Sequence, residues 1–128
     1  MELIPRGQVT LIDDAYNSNP AGSKAALETL ALFDGVHILV TPGMVELGER
    51  EEELNAAFGE YAASSCDYIL LVGGKRVAPI REGALRKGFP EDRCRVFPRL
   101  EEALSYAYSI LTDQQKIILL ENDLPDNY

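Results

Sequence analysis

Four unbroken apolar runs punctuate the chain: Val9 to Ile12, Val36 to Val40, Tyr68 to Val72 and Ile117 to Leu120. None alternates strictly with polar positions. A strand with one wet face alternates with period two, so these runs predict strands covered on both faces, as in a parallel sheet. Arg95 to Phe97 is a shorter candidate strand. Between the runs the apolar positions recur at helical spacing. Leu27, Leu30 and Ala31 form one such set, and Leu54, Ala57, Phe58, Tyr61 and Ala62 a second. Leu100, Ala103, Leu104, Ala107 and Leu111 form a third, and Ile80 to Lys87 a weaker fourth. Strands and helices therefore alternate along the whole chain. That order predicts the α/β class: a doubly wound, mostly parallel sheet of five or six strands with helices on both faces. No repeat, low-complexity stretch or long linker interrupts it, so residues 1–128 read as one domain. The first predicted strand starts within ten residues of Met1, so no element is expected before it.

Charge narrows the partners. Twelve basic against twenty-one acidic residues give a net charge of −9. Phosphate-rich surfaces would be repelled, which argues against nucleic acid and anionic membrane as main partners. No apolar run reaches the length of a membrane span, and the first residues lack the apolar core of a signal peptide. A cytoplasmic location is the expectation. Cys66 and Cys94 stand 28 positions apart, and the only histidine, His37, sits inside an apolar run. That is no zinc-ligand spacing, and the two thiols read as reduced packing residues. His37 reads as structural.

In doubly wound sheets, ligands bind beyond the carboxyl ends of the strands. Four segments occupy those ends. The first is Asp13-Asp14-Ala15-Tyr16-Asn17-Ser18-Asn19-Pro20. Asn19 and Pro20 suit the start of a helix as cap and first residue. Capping does not account for two adjacent carboxylates, a tyrosine and a second asparagine in one turn. A carboxylate at this place can accept from a ribose hydroxyl, and the helix start beside it favours an anion. Asp14 and Asn17 are thus ligand candidates.

The second segment is Thr41-Pro42-Gly43-Met44-Val45-Glu46-Leu47-Gly48, a turn followed by an acid between two apolar residues. Glu49, Glu51, Glu52 and Glu53 then suit the positive end of a helix. The third is Gly73-Gly74-Lys75-Arg76, whose cations can face an anionic ligand or simply lead into a helix. Neither G-x-x-x-x-G-K-[ST] nor G-x-G-x-x-G occurs in the chain. The fourth runs from Glu121 to Tyr128. It reads as an acidic tail, with Mg²⁺ on Glu121 and Asp123 as the alternative.

Together these segments resemble the C-terminal domain of the Mur ligases, most closely the MurF type, which adds D-alanyl-D-alanine. The family pattern D-D-x-Y-N-A-N-P is met by Asp13 to Pro20, with Ser18 in place of Ala. The pattern G-D-M-x-E-L-G is met from Pro42 to Gly48, with Gly43 where the family has Asp. Val72-Gly73 matches a later strand end. The last strand departs from the family: Glu121-Asn122-Asp123 stands where K-G-S-R is usual, an acidic edge that suits an amine better than a carboxylate.

The resemblance implies a Rossmann-like third domain that closes over a central domain carrying the P-loop and most of the ATP and Mg²⁺ site. It implies ATP contacts at Asp14, Tyr16, Asn17 and Asn19. Substrate contacts are expected at Asn17, Glu46, Lys75 and Arg76. No directly catalytic or metal-binding residue is assigned to this domain. The implied partners are ATP, an amino acid or dipeptide such as D-alanyl-D-alanine, a UDP-muramoyl-peptide, and the N-terminal and central domains. The reaction would make an acyl phosphate that an amine attacks, in the synthesis of peptidoglycan precursors, and this domain alone would be inactive. The alternative is a stand-alone or degenerate binding module without catalysis. A signalling receiver domain is disfavoured, because Val72-Gly73 and Glu121 occupy the places of its acceptor Asp and its Lys.

Overall fold

A computed structural model describes residues 2–6, 9–14, 20–44 and 48–121, with the backbone alone for 2–6 and for Asp14. Six strands form one sheet: β1 (Glu2–Arg6), β2 (Val9–Asp14), β3 (Val36–Thr41), β4 (Tyr68–Val72), β5 (Cys94–Phe97) and β6 (Lys116–Glu121). Their spatial order is β1-β2-β6-β3-β4-β5. Four helices connect them: α1 (Pro20–Ala31), α2 (Glu51–Ser65), α3 (Ala78–Arg86) and α4 (Leu100–Ser109). The pairs β2–β6, β6–β3, β3–β4 and β4–β5 are parallel.

The expected doubly wound sheet is therefore present. The last strand inserts between the first two parallel strands, so β6 lies between β2 and β3, where the connections diverge. Both faces are covered, as the unbroken apolar runs require. On one face Ile12, Leu39, Ile69, Leu71, Ile117 and Leu119 pack with residues of α1, α2 and α3. On the other, Ile38, Val40, Leu70, Val72 and Ile118 pack with Ala103 and Ala107 of α4. Successive residues of each run thus serve opposite cores. Burying a large aliphatic side chain is worth roughly 1.5–3 kcal/mol, so these positions dominate the stability.

The helices α2 and α3 approach closely because each carries a glycine at the contact. A β-carbon on Gly59 would overlap the Ile80 backbone, and one on Gly83 the Ala56 backbone. Any substitution there must push the helices apart.

Two expectations need correction. A strand does precede Val9: β1 pairs antiparallel with β2, Glu2 opposite Asp13 and Arg6 opposite Val9. Its Pro5 hides it from a strand reading, yet proline is tolerated on an edge strand, where no neighbour needs the missing N–H. The apolar pattern through Leu111 also overruns the helix. The helix α4 ends at Ser109, and Leu111 is 98% exposed. The Lys116 side chain ends it, donating from Nζ to the carbonyls of Ala107, Tyr108 and Ile110 at 2.9, 2.7 and 3.0 Å. A cation on the last carbonyls of a helix answers both its unpaired acceptors and its dipole.

His37 is structural. Its ring Nε2 donates to the Phe33 carbonyl at 2.5 Å, and its backbone N–H donates to Asp67 Oδ2 at 2.8 Å. Both cysteines are free and buried. Burial raises the Cys66 thiol above its ordinary range, and raises Cys94 to about 11 despite Arg81 nearby. Neither is a ready nucleophile, because the thiolate is the reactive form.

Candidate functional site

The carboxyl edge of the sheet gathers the ends of β2, β6, β3 and β4. Asp14 and Glu121 are register partners there, the last residues of adjacent parallel strands. Glu121 follows Leu119 by two residues and so falls on the face covered by α1. Its carboxylate is fully buried and accepts from Ser23 Oγ at 3.0 Å. Ser23 belongs to the first turn of α1 and is 1% exposed. This bond joins residues 98 apart in sequence. It ties the start of α1 to the end of β6, and both flank the segment carrying the Asp-Asp pattern.

That burial corrects the reading of Glu121 as part of an open acidic edge. The carboxylate is absorbed into the packing of α1 against β6 rather than offered to a cation or a substrate amine. A buried carboxylate is tolerable only with hydrogen-bond donors, which Ser23 supplies in part. Asp123 lies outside the described residues.

The end of β3 is organised by a second set of buried polar groups. Thr41 Oγ1 accepts from the Gly43 N–H at 3.1 Å. Gly43 has φ +86°, a left-handed conformation that side chains disfavour. The glycine that departs from the family pattern thus has a local reason. A β-carbon there would also stand 3.2 Å from Ile80 Cδ1 and 3.4 Å from Asn55 Oδ1. Asn55, on the second turn of α2, is 1% exposed and grips the turn from below. Its Oδ1 accepts from the Met44 N–H at 2.8 Å, and its Nδ2 donates to the carbonyls of Met44 at 2.9 Å and Glu51 at 3.0 Å. Neither Asn55 nor Ser23 stands out in the sequence, since each is a single small polar residue in a helical pattern. The only signal was a polar residue at a position the apolar spacing assigns to the core.

Between α1 and α2, beside Met44, lies a largely apolar cleft of about 210 Å³. Pro20, Lys24, Met44, Leu54, Phe58 and Tyr61 contribute to its lining. The Lys24 ammonium stands 5.5 Å from the Tyr61 ring centroid. Burial and the neighbouring Glu28 carboxylate raise the Tyr61 phenol above its ordinary range.

Of the expected site residues, Asp14 sits at the end of β2 as anticipated. Tyr16, Asn17, Asn19 and Glu46 lie outside the described residues. Lys75 and Arg76 occupy an exposed 3-10 turn after β4. Two strands, β6 and β3, separate β4 from β2. At about 4.8 Å per strand, the ends of β2 and β4 therefore stand roughly 14 Å apart along the edge.

The sequence matches the family described as Mur ligase, glutamate ligase domain, over residues 1–121. It is 32% identical over 111 residues to the UDP-N-acetylmuramoyl-tripeptide–D-alanyl-D-alanine ligase of Escherichia coli, covering 86% of this chain and 23% of that protein. The Bacillus subtilis enzyme of the same name is 36% identical over 100 residues, covering 75% of this chain and 21% of that one. The chain therefore spans less than a quarter of the length of these relatives. Among solved structures, a MurF from Acinetobacter baumannii superposes with a TM-score of 0.78 at 26% identity, over 95% of this chain and 26% of that one. The MurF ligase of Thermotoga maritima in complex with ADP superposes at 0.74 with 20% identity, over 94% of this chain and 26% of that one, which speaks for the fold. Sequence, topology and the placement of the Asp-Asp strand end agree: the chain belongs to the Mur ligase family, as its C-terminal glutamate ligase domain.

Proposed function

We propose that this chain is the closing domain of an ATP-dependent, ADP-forming amide ligase that adds an amino acid or dipeptide to a UDP-muramoyl-peptide. The observation that carries the reading is the position of the Asp13–Pro20 pattern. It follows the strand beside β6, at the carboxyl edge where the strand connections diverge, which is where open α/β sheets take nucleotides. The D-alanyl-D-alanine specificity of the named relatives is the first substrate to test.

In this reading Asp14, Tyr16, Asn17 and Asn19 contact the nucleotide, with α1 starting at the end of the same segment. Asn17, Glu46, Lys75 and Arg76 contact the incoming amine and the anionic acceptor. The separation of Lys75 and Arg76 from Asp14 along the edge suits two reactants lying side by side. ATP supplies the activation of a carboxylate as its acyl phosphate, and the P-loop and Mg²⁺ ligands belong to a central domain. This chain's own contribution is to hold the amine against that carboxylate and to exclude water on closure. Two reactants that carry negative charge gain most from being held in place.

The test is Asp14→Asn in the full-length protein. The apparent KM for ATP should rise about tenfold, the equivalent of one lost charge-assisted hydrogen bond, while the unfolding midpoint stays within a few degrees. Wild-type kinetics in that variant would remove Asp14 from the nucleotide site.

A further inference from the structure

Among the described bonds, buried side chains hold the turn leaving β3. Among the described bonds, the Met44 N–H and carbonyl both end on the Asn55 side chain. A backbone unit pinned at donor and acceptor by one amide has no freedom to rotate without breaking both bonds. The third bond, from Nδ2 to the Glu51 carbonyl one turn earlier, fixes the amide itself on the helix. Asn55 thereby couples the first turn of α2 to Met44, two residues before Glu46 in sequence. Thr41 acts on the same turn from the strand side, taking the Gly43 N–H.

A core position of α2 would be more cheaply filled by leucine or alanine. The neighbours Phe58 and Ala62 on the same helix are apolar and buried. Placing an amide there costs its desolvation unless every polar atom is matched, and here each is. What the amide adds over an apolar residue is one defined path for the turn.

We infer that Asn55, supported by Thr41, is a positioning residue for the amine-binding part of the site. It sets the geometry of the 41–44 turn, which includes the first three residues of the Pro42–Gly48 pattern. This rests on the ligase reading above for its meaning, and on the hydrogen bonds for its geometry.

The experiment compares Asn55→Ala and Thr41→Val with wild type in the full-length protein. Thr41→Val keeps the side-chain shape and so keeps the fold if Asn55→Ala does not. Two readouts are taken. Amide hydrogen exchange at Gly43 and Met44 should quicken about tenfold relative to β4 amides, because local opening no longer breaks the clamp. With ATP saturating and D-alanyl-D-alanine varied, KM for the dipeptide should rise about tenfold with kcat within about twofold, the signature of lost uniform binding. KM for ATP should not move. Exchange that quickens evenly across the sheet, or a dipeptide KM that stays at the wild-type value while the turn opens, overturns the inference. A wild-type protein that consumes no ATP with this dipeptide sinks the specific ligase reading instead. The exchange pattern then still decides the clamp.

Discussion

The two edges of the sheet use buried polar side chains for different ends. Six polar or charged residues are buried among the described ones: Thr10, Ser23, Thr41, Asn55, Lys116 and Glu121. Thr10 and Lys116 lie at the amino ends of β2 and β6. There Lys116 spends its three donors on three carbonyls at the end of α4, and Gln115 Nε2 donates to Thr10 Oγ1. Every such contact closes off a helix end or a strand end. Ser23, Thr41, Asn55 and Glu121 lie at the carboxyl edge. Their bonds run to segments that carry the family patterns, or to the elements flanking them. The amino edge thus finishes the fold, whereas on the proposed reading the carboxyl edge aims parts of the chain at a ligand. The same chemistry, polar groups matched inside a low-dielectric core, serves both.

The largest effect that would separate the two edges is expected at Lys116. Replacing it by Met keeps the aliphatic stem and deletes three donated bonds, leaving carbonyls of the α4 terminus short of a partner. Burial already holds this ammonium below the ordinary lysine range. Part of the loss is therefore offset by relief of desolvation, and a cost of about 3 kcal/mol is expected. Urea unfolding of the chain measures it. The KM values of the full-length protein for ATP and amine should stay put. A changed KM at constant stability would mean that the amino edge also reaches the site.

Ser23→Ala comes next, at about 1.5 kcal/mol, since it leaves the buried Glu121 carboxylate one donor poorer. Glu121→Gln in the same background should recover part of that loss, because a neutral amide is less costly to bury. Here the comparison predicts a functional cost as well. The start of α1 and the end of β6 flank Asp14, so nucleotide affinity should fall about fivefold, a smaller loss than for Asp14→Asn. A Ser23→Ala protein with lowered stability and unchanged nucleotide affinity would place this pair with Lys116, as a fold-closing bond only.

The sequence pattern carried the parallel core well and its exceptions poorly, for reasons that lie in particular residues. Tyr68 to Val72 could be read because a strand buried on both faces has no polar interruption. The edge strand Glu2–Arg6 could not, because Pro5 and the flanking charges break the pattern, and only its pairing with β2 makes it a strand. The end of α4 was overrun because Leu111 continues the helical spacing by accident. The stop comes from Lys116, which is distant in the pattern and adjacent in space. At the carboxyl edge, the strand-end place of Asp14 was legible from a dense motif. Asn55 and Ser23 were not, since a small polar residue on a helix gives no hint of its partner 11 or 98 positions away. Glu121 was misread for the same reason: its charge suggested exposure, and its burial depends on α1.

The smallest effects should fall on the exposed ion pairs, which belong to neither edge. Arg50–Glu53, Arg81–Glu91 and Arg86–Glu60 span 3.2, 3.2 and 3.4 Å. In each pair at least one side chain is well exposed, 69% for Glu53 and 79% for Glu91. Water screens such pairs, so Arg50→Ala should change stability by less than about 0.5 kcal/mol. Arg81→Ala sharpens the point, because Arg81 is only 33% exposed and its Nε also donates to the Cys94 carbonyl at 3.4 Å, on the edge strand β5. If that contact holds the strand, Arg81→Ala should cost more than Arg50→Ala by roughly the worth of one weak hydrogen bond, about 0.5 kcal/mol. Raising the salt concentration should weaken the Glu91 part of the difference and leave the Cys94 part, since a bond to a neutral carbonyl is not screened as an ion pair is. Equal costs in the two variants, or a difference that vanishes in salt, would mean that β5 is held by β4 and the core alone.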